Sequence, residues 1–264
     1  MALKFKNARD LAGIYRSGQI AGAFLRDVAQ LINPGVTTKE LDDFGAEYIA
    51  KHGGKAAFLG YNGFPASLCI SINEEIVHGI PGPRRLEPGD IVSIDVGVIL
   101  EGYVSDTART YLAGDAPPAA DVQRLLSGTA SSLDCAIGAI RDGIPLRLVS
   151  RAIEQELLKH HLGIVHELTG HGTGFALHEE PTVYNFDPRA RKPMISNGMV
   201  LAIEPMATLG SPEILLAADN WCYKSADGSL AAHYEHTIAC WDGRALVLTD
   251  PAADDSRQAF GGGA

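Results

Sequence analysis

The sequence lacks any long apolar run. No stretch of about 18 apolar residues occurs in its 264 residues, and the N-terminal Met1–Asp10 carries charged side chains without the apolar segment of a signal peptide. We therefore expect neither a membrane-spanning helix nor a secretory leader. The interpretation that follows is a cytoplasmic protein with no membrane partner.

Basic residues are also scarce. Lys and Arg number 22 against 32 Asp and Glu, which gives a formal net charge of −10. Binding to a phosphate backbone depends on clustered Lys and Arg, so we expect no direct binding to nucleic acid. The positions of these excess acidic side chains along the chain are considered below for the chemistry they indicate.

Cysteines are few and far apart. None of the four forms a closely spaced metal-binding pair with another, and no disulfide framework is indicated. We expect reduced and mostly packed thiols, and no structural zinc site built on cysteine. The four are Cys69, Cys135, Cys222 and Cys240.

Hydrophobic residues, in contrast, are abundant. They make up 46% of the chain against 20% charged residues, enough for a chain of this size to bury roughly three-quarters of its unfolded surface. No Pro, Gly or Ser-rich linker divides the middle, and the one low-complexity stretch is Gly261–Gly263. We predict a single domain over residues 1–252 with a flexible tail over 253–264, and we expect a monomer.

Helical and strand patterns occur in blocks. Apolar residues recur at helical spacing before Asn33, and a second run begins at a capping-box pair, Thr37 and Glu40, and ends at His52. Two more helices are predicted at about 122–140 and 145–160, after the first block of strands. Segregated blocks of this kind favour an α+β domain in which helices cover one face of a largely antiparallel sheet.

One short pattern occurs twice. Residues 89–95 and 198–204 both run glycine, any residue, three apolar or small residues, isoleucine and a carboxylate, 109 residues apart. This spacing is too long for a stacking repeat and suggests two related halves. Two buried strands can also look alike by chance, so the pattern alone leaves both interpretations open.

A predicted hairpin brings two carboxylates together. If Glu101 and Gly102 form a two-residue turn, Asp95 lies opposite Ala108 and Asp106 lies opposite residue 97. The two carboxylates then share one face about 7 Å apart, where burial and like charge would oppose ionisation. A three-residue turn would put them on opposite faces.

A cation would relieve this repulsion, and the second half of the chain offers further ligands for one. Glu204 ends the repeated pattern, while Glu235 and His171 stand beside it. Four carboxylates and one imidazole balance two divalent ions, an arrangement that recurs in hydrolases, and the ligand types suit Mn²⁺, Fe²⁺, Co²⁺ or Zn²⁺. His78 and His178 are candidates for catalytic work on a reacting amide.

With these motifs in place, the chain resembles the type I methionine aminopeptidases over nearly all of its length. The resemblance implies the pita-bread (creatinase/aminopeptidase) fold: two pseudo-symmetric halves with helices covering a curved sheet around a dinuclear metal site. It also implies metal ligation by Asp95, Asp106, His171, Glu204 and Glu235. The segments that carry it are 60–65, 71–81, 94–96, 105–107, 170–174, 178–181, 203–206 and 234–237.

The same resemblance implies the reaction. A metal-bridging hydroxide would attack the carbonyl of an N-terminal Met on a nascent polypeptide, including chains at the ribosome, with a small second residue preferred. Glu204 would handle the proton, while His78 and His178 would hydrogen-bond the scissile amide. The methionine side chain would enter a pocket of Phe58, Tyr61, Phe64, Cys69, Leu177 and Trp221.

Three positions depart from the family pattern. Ser105, Leu177 and His233 replace residues common in relatives, which affects the expected pocket shape but no ligand. Alternatives stay open: an aminopeptidase of the same fold that cleaves before proline, a creatine-hydrolysing relative, or a non-catalytic binding protein of this fold.

Overall fold

The computed structural model describes residues 3–191 and 193–252. These residues contain four α-helices and fifteen β-strands. The helices are α1 (Ala8–Val28), α2 (Thr38–Lys51), α3 (Ala120–Ala139) and α4 (Arg147–Lys159), with short 3₁₀ turns at Ala29–Leu31 and Tyr61–Gly63. The first strands are β1 (Lys55–Ala56), β2 (Cys69–Ile72), β3 (Glu75–Val77), β4 (Ile91–Leu100) and β5 (Tyr103–Leu112). The remaining strands are β6 (Gly163–Ile164), β7 (Thr169–Gly172), β8 (Glu179–Tyr184), β9 (Val200–Ile203), β10 (Met206–Thr208), β11 (Ile214–Leu216), β12 (Tyr223–Ser225), β13 (Ala231–His233), β14 (His236–Trp241) and β15 (Arg244–Val247).

Each helical pattern in the sequence corresponds to a helix of the structure. Thr37 and Glu40 form the expected capping box, with the Thr37 hydroxyl accepting from the Glu40 backbone N–H and the Glu40 carboxylate accepting from the Thr37 N–H. Asn7 and Asp10 form a second capping box at the start of α1. The two later helices lie within two residues of their predicted ends. The predicted order of helices, strands, helices, strands is confirmed.

Every strand pair in the described residues is antiparallel, as the sequence predicts. Hydrogen bonding divides these strands into four sheets. The largest has the order β15-β14-β9-β7-β8, and another joins β1, β4, β2 and β5. Each of these two sheets carries part of the site described below.

Each half of the chain has its own core. In the first, the apolar faces of α1 and α2, including the fully buried Phe24 and Leu41, pack on β2 and β4. In the second, α3 and α4, including Leu125 and Ile153, pack on the sheet that contains β9 and β14. Full burial of one such side chain contributes about 1.5–3 kcal/mol, so each helix pair is held mainly by its packed face.

The repeated sequence pattern has the same backbone shape in both halves. Gly89 and Gly198 have φ of 88° and 87°, and a strand begins two residues after each. Asp95 lies within the first strand and Glu204 directly follows the second. The chance interpretation of the pattern is therefore the weaker one.

One thiol does not lie where the sequence suggests. Cys69, Cys222 and Cys240 are buried and free, but Cys135 is exposed and free. Cys135 follows Asp134, also exposed, on the outer side of α3, whereas Leu133 and Ala136 face the core. The expectation of mostly packed thiols is thus confirmed, and Cys135 is the exception because helical periodicity and not residue type sets which side of α3 is buried.

No helix of the described residues is long and apolar enough to cross a membrane. The predicted tail, residues 253–264, lies outside the described residues, so the boundary of the 1–252 domain stays a prediction.

Candidate active site

A cavity of about 210 Å³ lies where the two halves meet. Strands β4 and β5 form one wall, and the segments around β7, β9 and β14 bring the second half to it. Every residue predicted for the site lines this cavity. They are Phe58, Tyr61, Phe64, Cys69, His78, Asp95, Asp106, His171, Leu177, His178, Glu204, Trp221 and Glu235.

The β4–β5 hairpin sets the first two carboxylates. Glu101 and Gly102 form the predicted two-residue turn, with φ of 51° and 84°, and the register pairs Asp95 with Ala108 and residue 97 with Asp106. This is the pairing predicted from the sequence. Both carboxylates therefore project from the face that lines the cavity.

Backbone hydrogen bonds join the two halves at the carboxylate positions. The Ala108 N–H donates to the Glu235 carbonyl at 3.4 Å, and the Glu235 N–H donates to the Ala108 carbonyl at 2.9 Å. The Thr237 hydroxyl donates to the Asp106 carbonyl and accepts from its N–H, at 2.7 and 2.9 Å. The backbones of Asp106 and Glu235 are thus held close together by hydrogen bonds that do not depend on anything bound between the two side chains.

His171 has the tautomer of a metal ligand. Its Nδ1 lies 3.0 Å from the Gly172 carbonyl, which can only accept, so Nδ1 carries the proton. Nε2 then presents a lone pair 3.4 Å from Glu204 Oε1 and 3.9 Å from Asp106 Oδ2. Burial, followed by the charge of His178, lowers the pKa of His171 to about 3. The imidazole is neutral at physiological pH and its free nitrogen faces the carboxylates.

Burial and like charge disfavour the ionised form of the four carboxyl groups, as the sequence predicts. Burial, and then the charge of Asp106, raises the pKa of Asp95, Glu204 and Glu235 well above the usual range. Burial raises that of Asp106 to about 7, partly opposed by its hydrogen bond with Asp95. In the protein alone, these groups can ionise together only at a large free-energy cost.

The donor set fits a divalent cation. Asp95 Oδ1, Asp106 Oδ1 and Glu235 Oε1 are buried and have no hydrogen-bond partner in the described residues. Ligand atoms of Asp106, His171 and Glu235 lie within 4.8 Å of one another. Orphaned carboxylate oxygens beside an unprotonated imidazole nitrogen are the ligands that Mn²⁺, Fe²⁺, Co²⁺ and Zn²⁺ accept.

His78 and His178 lie in the same cavity. His78 follows β3 with φ of 58°, in the left-handed region that non-glycine residues rarely adopt, which is common at functional sites. Burial, and then the charge of His178, lowers its pKa to about 4. The ring of His178 lies 4.1 Å from that of His171, and its Nδ1 is 2.8 Å from the Tyr61 hydroxyl. Two neutral imidazoles thus flank the carboxylates.

The apolar part of the cavity is a side-chain slot. Phe64 and Trp221 meet edge to face at 5.2 Å, and Cys69 pairs with Asp95 across β2 and β4, so its side chain lies on the carboxylate face. Leu177 packs in the same cluster. This slot opens beside the carboxylates and suits a flexible thioether side chain.

Several lining residues were missed by sequence reasoning. Thr169 stands two residues before His171, and Met206 stands two after Glu204. Alternation along β7 would have found Thr169, because residues two apart in a strand share a face. Glu204 and Pro205 lie between β9 and β10, so strand alternation gives no signal for Met206. The other missed residues are Asn62, Val77 and Leu168.

The three departures from the family pattern have different settings. Leu177 lines the cavity, whereas the Ser105 hydroxyl lies outside it and contacts that of Ser17 on α1 at 3.0 Å. His233 Nε2 is buried without a hydrogen-bond partner in the described residues, 3.7 Å from Glu204 Oε2. A change at position 105 therefore bears on helix packing and not on the pocket.

Comparison with known proteins agrees with this geometry. The profile of metallopeptidase family M24 matches residues 12–241. A curated methionine aminopeptidase of Borreliella burgdorferi is 43% identical over 94% of this chain and 98% of its own length.

Solved structures give the same picture of the fold. The structure of a methionine aminopeptidase from Rickettsia prowazekii superposes with a TM-score of 0.91 at 34% identity, over 94% of this chain and all of that one. A prolidase from Pyrococcus furiosus, 21% identical, matches 93% of this chain but 65% of its own, with a TM-score of 0.76. The predicted pita-bread fold is confirmed.

Proposed function

The chain belongs to metallopeptidase family M24, and from that premise we propose that it removes methionine from the N-terminus of polypeptides, with a small second residue preferred. The observation that carries the proposal is the convergence of four carboxylates, of which Asp106 and Glu235 are buried and Asp95 and Glu204 partly buried, with a neutral imidazole at the base of an apolar slot. Relatives that share almost the full length of the chain and are named methionine aminopeptidase support it.

Asp95, Asp106, His171, Glu204 and Glu235 would hold two divalent ions, drawn from Co²⁺, Mn²⁺, Fe²⁺ and Zn²⁺. When bound, such ions supply Lewis acidity, which lowers the pKa of water and polarises a carbonyl. The charge sum, four carboxylates against two divalent ions, is neutral, and this supports the count of two.

The side chains of this protein would orient and protonate the substrate. Glu204 would accept and return the proton of the attacking water, because its carboxylate lines the cavity beside His171 Nε2, within reach of a reacting group held there. His178, held by Tyr61, would donate to the carbonyl as negative charge develops there. His78 would hydrogen-bond the scissile amide nitrogen.

The apolar slot would select the first residue of the substrate. Phe64, Cys69 and Trp221 leave room for an unbranched thioether beside the carboxylates. Tyr61 lines the same slot and fixes His178, so side-chain recognition and the reacting carbonyl are adjacent.

We propose further that the protein acts as a monomer in the cytoplasm on nascent polypeptides, including those at the ribosome. The net charge of −10 supports an interaction with peptide and not with nucleic acid.

The test is an assay on purified protein stripped of metal and then given Mn²⁺, Fe²⁺ or Co²⁺. We expect release of Met from Met-Ala-Ser and no cleavage of an Ala-Pro peptide. Folded protein that releases no Met with any of these metals would contradict the proposal. Cleavage of the Ala-Pro peptide instead would favour the proline-directed alternative of the same fold.

A further inference from the structure

The N-terminal segment places a buried cation beside the loop that carries His178. Lys6 Nζ donates to Glu179 Oε2 at 2.7 Å, and the two side chains are 1% and 2% exposed. Glu179 directly follows His178 in the chain. This buried ion pair is thus one residue along the chain from His178, which is proposed to contact the substrate.

The second oxygen of the same carboxylate closes the loop on itself. Glu179 Oε1 accepts from the backbone N–H groups of Phe175 and Ala176, at 2.8 and 2.9 Å. Thr173 adds a hydroxyl bond to the Ala176 carbonyl at 3.2 Å. Thr173 and Gly174 are held by backbone bonds to Val200 and Val104, so the Glu179 carboxylate, whose other oxygen depends on Lys6, holds the part of the loop that lies next to His178.

Lys6 also touches the segment that leads to Glu204. Its backbone N–H donates to the Gly198 carbonyl at 2.7 Å, and a Cβ at Gly198 would lie 2.6 Å from the Lys6 carbonyl oxygen. A Cβ at Gly174 would lie 2.9 Å from Lys6 Cε. Lys6 therefore packs in the space between these two glycines, one in the His178 loop and one before β9.

We propose that Lys6 and Glu179 are positioning residues for His178. The inference rests on the proposed function, since His178 matters only if it meets a substrate. Buried ion pairs contribute little net stability, but loss of one partner leaves an uncompensated buried charge. Without Lys6, the Glu179 carboxylate must turn towards water and release Phe175 and Ala176, and the loop then no longer holds His178 against the cavity.

The main test is the Lys6→Met variant, which keeps the side-chain length and removes the charge. We expect kcat for Met-Ala-Ser to fall by about 10- to 100-fold, the effect of misplacing a catalytic group by about 1 Å. Metal content should be unchanged, and amide hydrogen exchange should become faster in residues 173–178. The matched control is Lys4→Met, because Lys4 Nζ lies 3.8 Å from the same carboxylate but its side chain is 47% exposed. The kcat of this variant should stay at the wild-type value.

Two further variants separate positioning from general stability. Lys6→Met combined with Glu179→Gln should recover most of the lost kcat, because a neutral amide oxygen can still accept from Phe175 and Ala176 without an unpaired charge. In a His178→Ala background, Lys6→Met should cause no further loss of kcat. A purely structural role predicts an additive loss in that background and no recovery in the first pair.

Several results would overturn the inference. The first is a wild-type kcat in Lys6→Met, and the second is an additive loss in the His178→Ala background. The third is failure to fold of both Lys6→Met and the double variant that combines it with Glu179→Gln. Failure of the proposed function is seen separately, as wild-type protein that is folded and inactive. In that case the exchange rate of residues 173–178 still reports whether Lys6 and Glu179 hold the loop.

Discussion

At the scale of single residues, the Gly172 carbonyl decides what His171 can do. A carbonyl cannot donate, so it fixes the imidazole proton on Nδ1 and leaves Nε2 free beside Asp106 and Glu204. The orphaned oxygens of Asp95, Asp106 and Glu235 complete the set. Each side chain is individually unfavourable in its position, and together they form a set that a cation stabilises.

Asp106→Asn tests the ligand role of one carboxylate. The amide keeps the shape but loses the charge, so we expect metal affinity to fall at least about tenfold, the lower end of the effect seen even for outer-shell partners. Elemental analysis measures the metal content and circular dichroism the fold. Asp187→Asn is the control, because Asp187 pairs with Arg147 away from the cavity. Unchanged metal stoichiometry in folded Asp106→Asn would refute the role.

His178→Ala tests a residue that should act on substrate and not on metal. We expect metal content to stay the same and kcat to fall by about 10²- to 10³-fold, the loss typical of one donor to a developing negative charge. Steady-state kinetics with a metal assay measures both. His166→Ala is the control, since His166 is exposed and packs against Phe186. Wild-type kinetics in His178→Ala would remove it from the mechanism.

At the scale of elements, the β4–β5 turn sets the site. Glu101 and Gly102 both have positive φ, which matches the right-handed twist of the strands and keeps the hairpin loop to two residues. The turn lies far from the cavity along the strands, yet it fixes which face Asp95 and Asp106 share. A local backbone preference therefore places two distant carboxylates.

Gly102→Ala should lower the free energy of unfolding by about 1–2 kcal/mol, because a side chain at φ of 84° meets the steric cost of the left-handed region. Denaturant unfolding followed by fluorescence measures it. Gly138→Ala is the matched control: this glycine lies in α3 with nothing within 4 Å of an added Cβ, and it should gain up to about 1 kcal/mol. Equal effects of the two changes would argue against the turn geometry.

At the scale of the whole molecule, the acidic excess divides into two parts. Four of the 32 acidic side chains surround the cavity, and two bound divalent ions would bring the net charge from −10 to −10 + 4 = −6. Among the described residues, most of the other acidic side chains are exposed or partly exposed and give the charge of the surface, although Asp42, Asp90 and Glu179 are also buried. The buried part is the part that makes stability depend on metal.

Removal of metal should make stability depend on pH. Burial raises the pKa of Asp95, Glu204 and Glu235 well above that of unfolded carboxyl groups, so the metal-free folded state holds more protons than the unfolded state. The buried histidines, whose pKa is lowered, act in the opposite direction only up to the unfolded histidine pKa of about 6.5. The free energy of unfolding of the metal-free protein should therefore fall as pH rises from about 7 upwards. Denaturant unfolding with and without Mn²⁺ measures it, and added metal should remove most of the decline. A metal-free protein that gains stability over this range would contradict the burial of these groups.

Thiol reactivity should separate the four cysteines. Burial raises the pKa of Cys222 to about 12 and of Cys240 to about 11, and that of Cys69 well above the usual range. Cys135 is exposed, and its pKa is raised by desolvation and then by Glu156. A disulfide reagent that releases a coloured thiolate on reaction should label one thiol rapidly in the native protein and four after unfolding. Rapid labelling of two or more native thiols would be inconsistent with this structure.

Features that depend on local spacing along the chain can be predicted from residue order alone. The capping box of Thr37, the two-residue turn at Glu101 and Gly102, and hence the shared face of Asp95 and Asp106 follow from residue type and strand alternation. The chemistry of the ligand set follows from charge, because buried carboxylates require a positive partner.

Contacts between groups that are distant in the chain follow from the packing of the folded molecule and not from residue order. The contact of Tyr61 with His178, the Lys6–Glu179 pair and the approach of His233 to Glu204 join positions that are far apart in the chain. Alternation assigns a side chain to a face, but it does not state which other face packs against it. That choice is made when the two halves close over the cavity, since their packing and the hydrogen bonds between β5 and the segment around Glu235 fix all these distances at once.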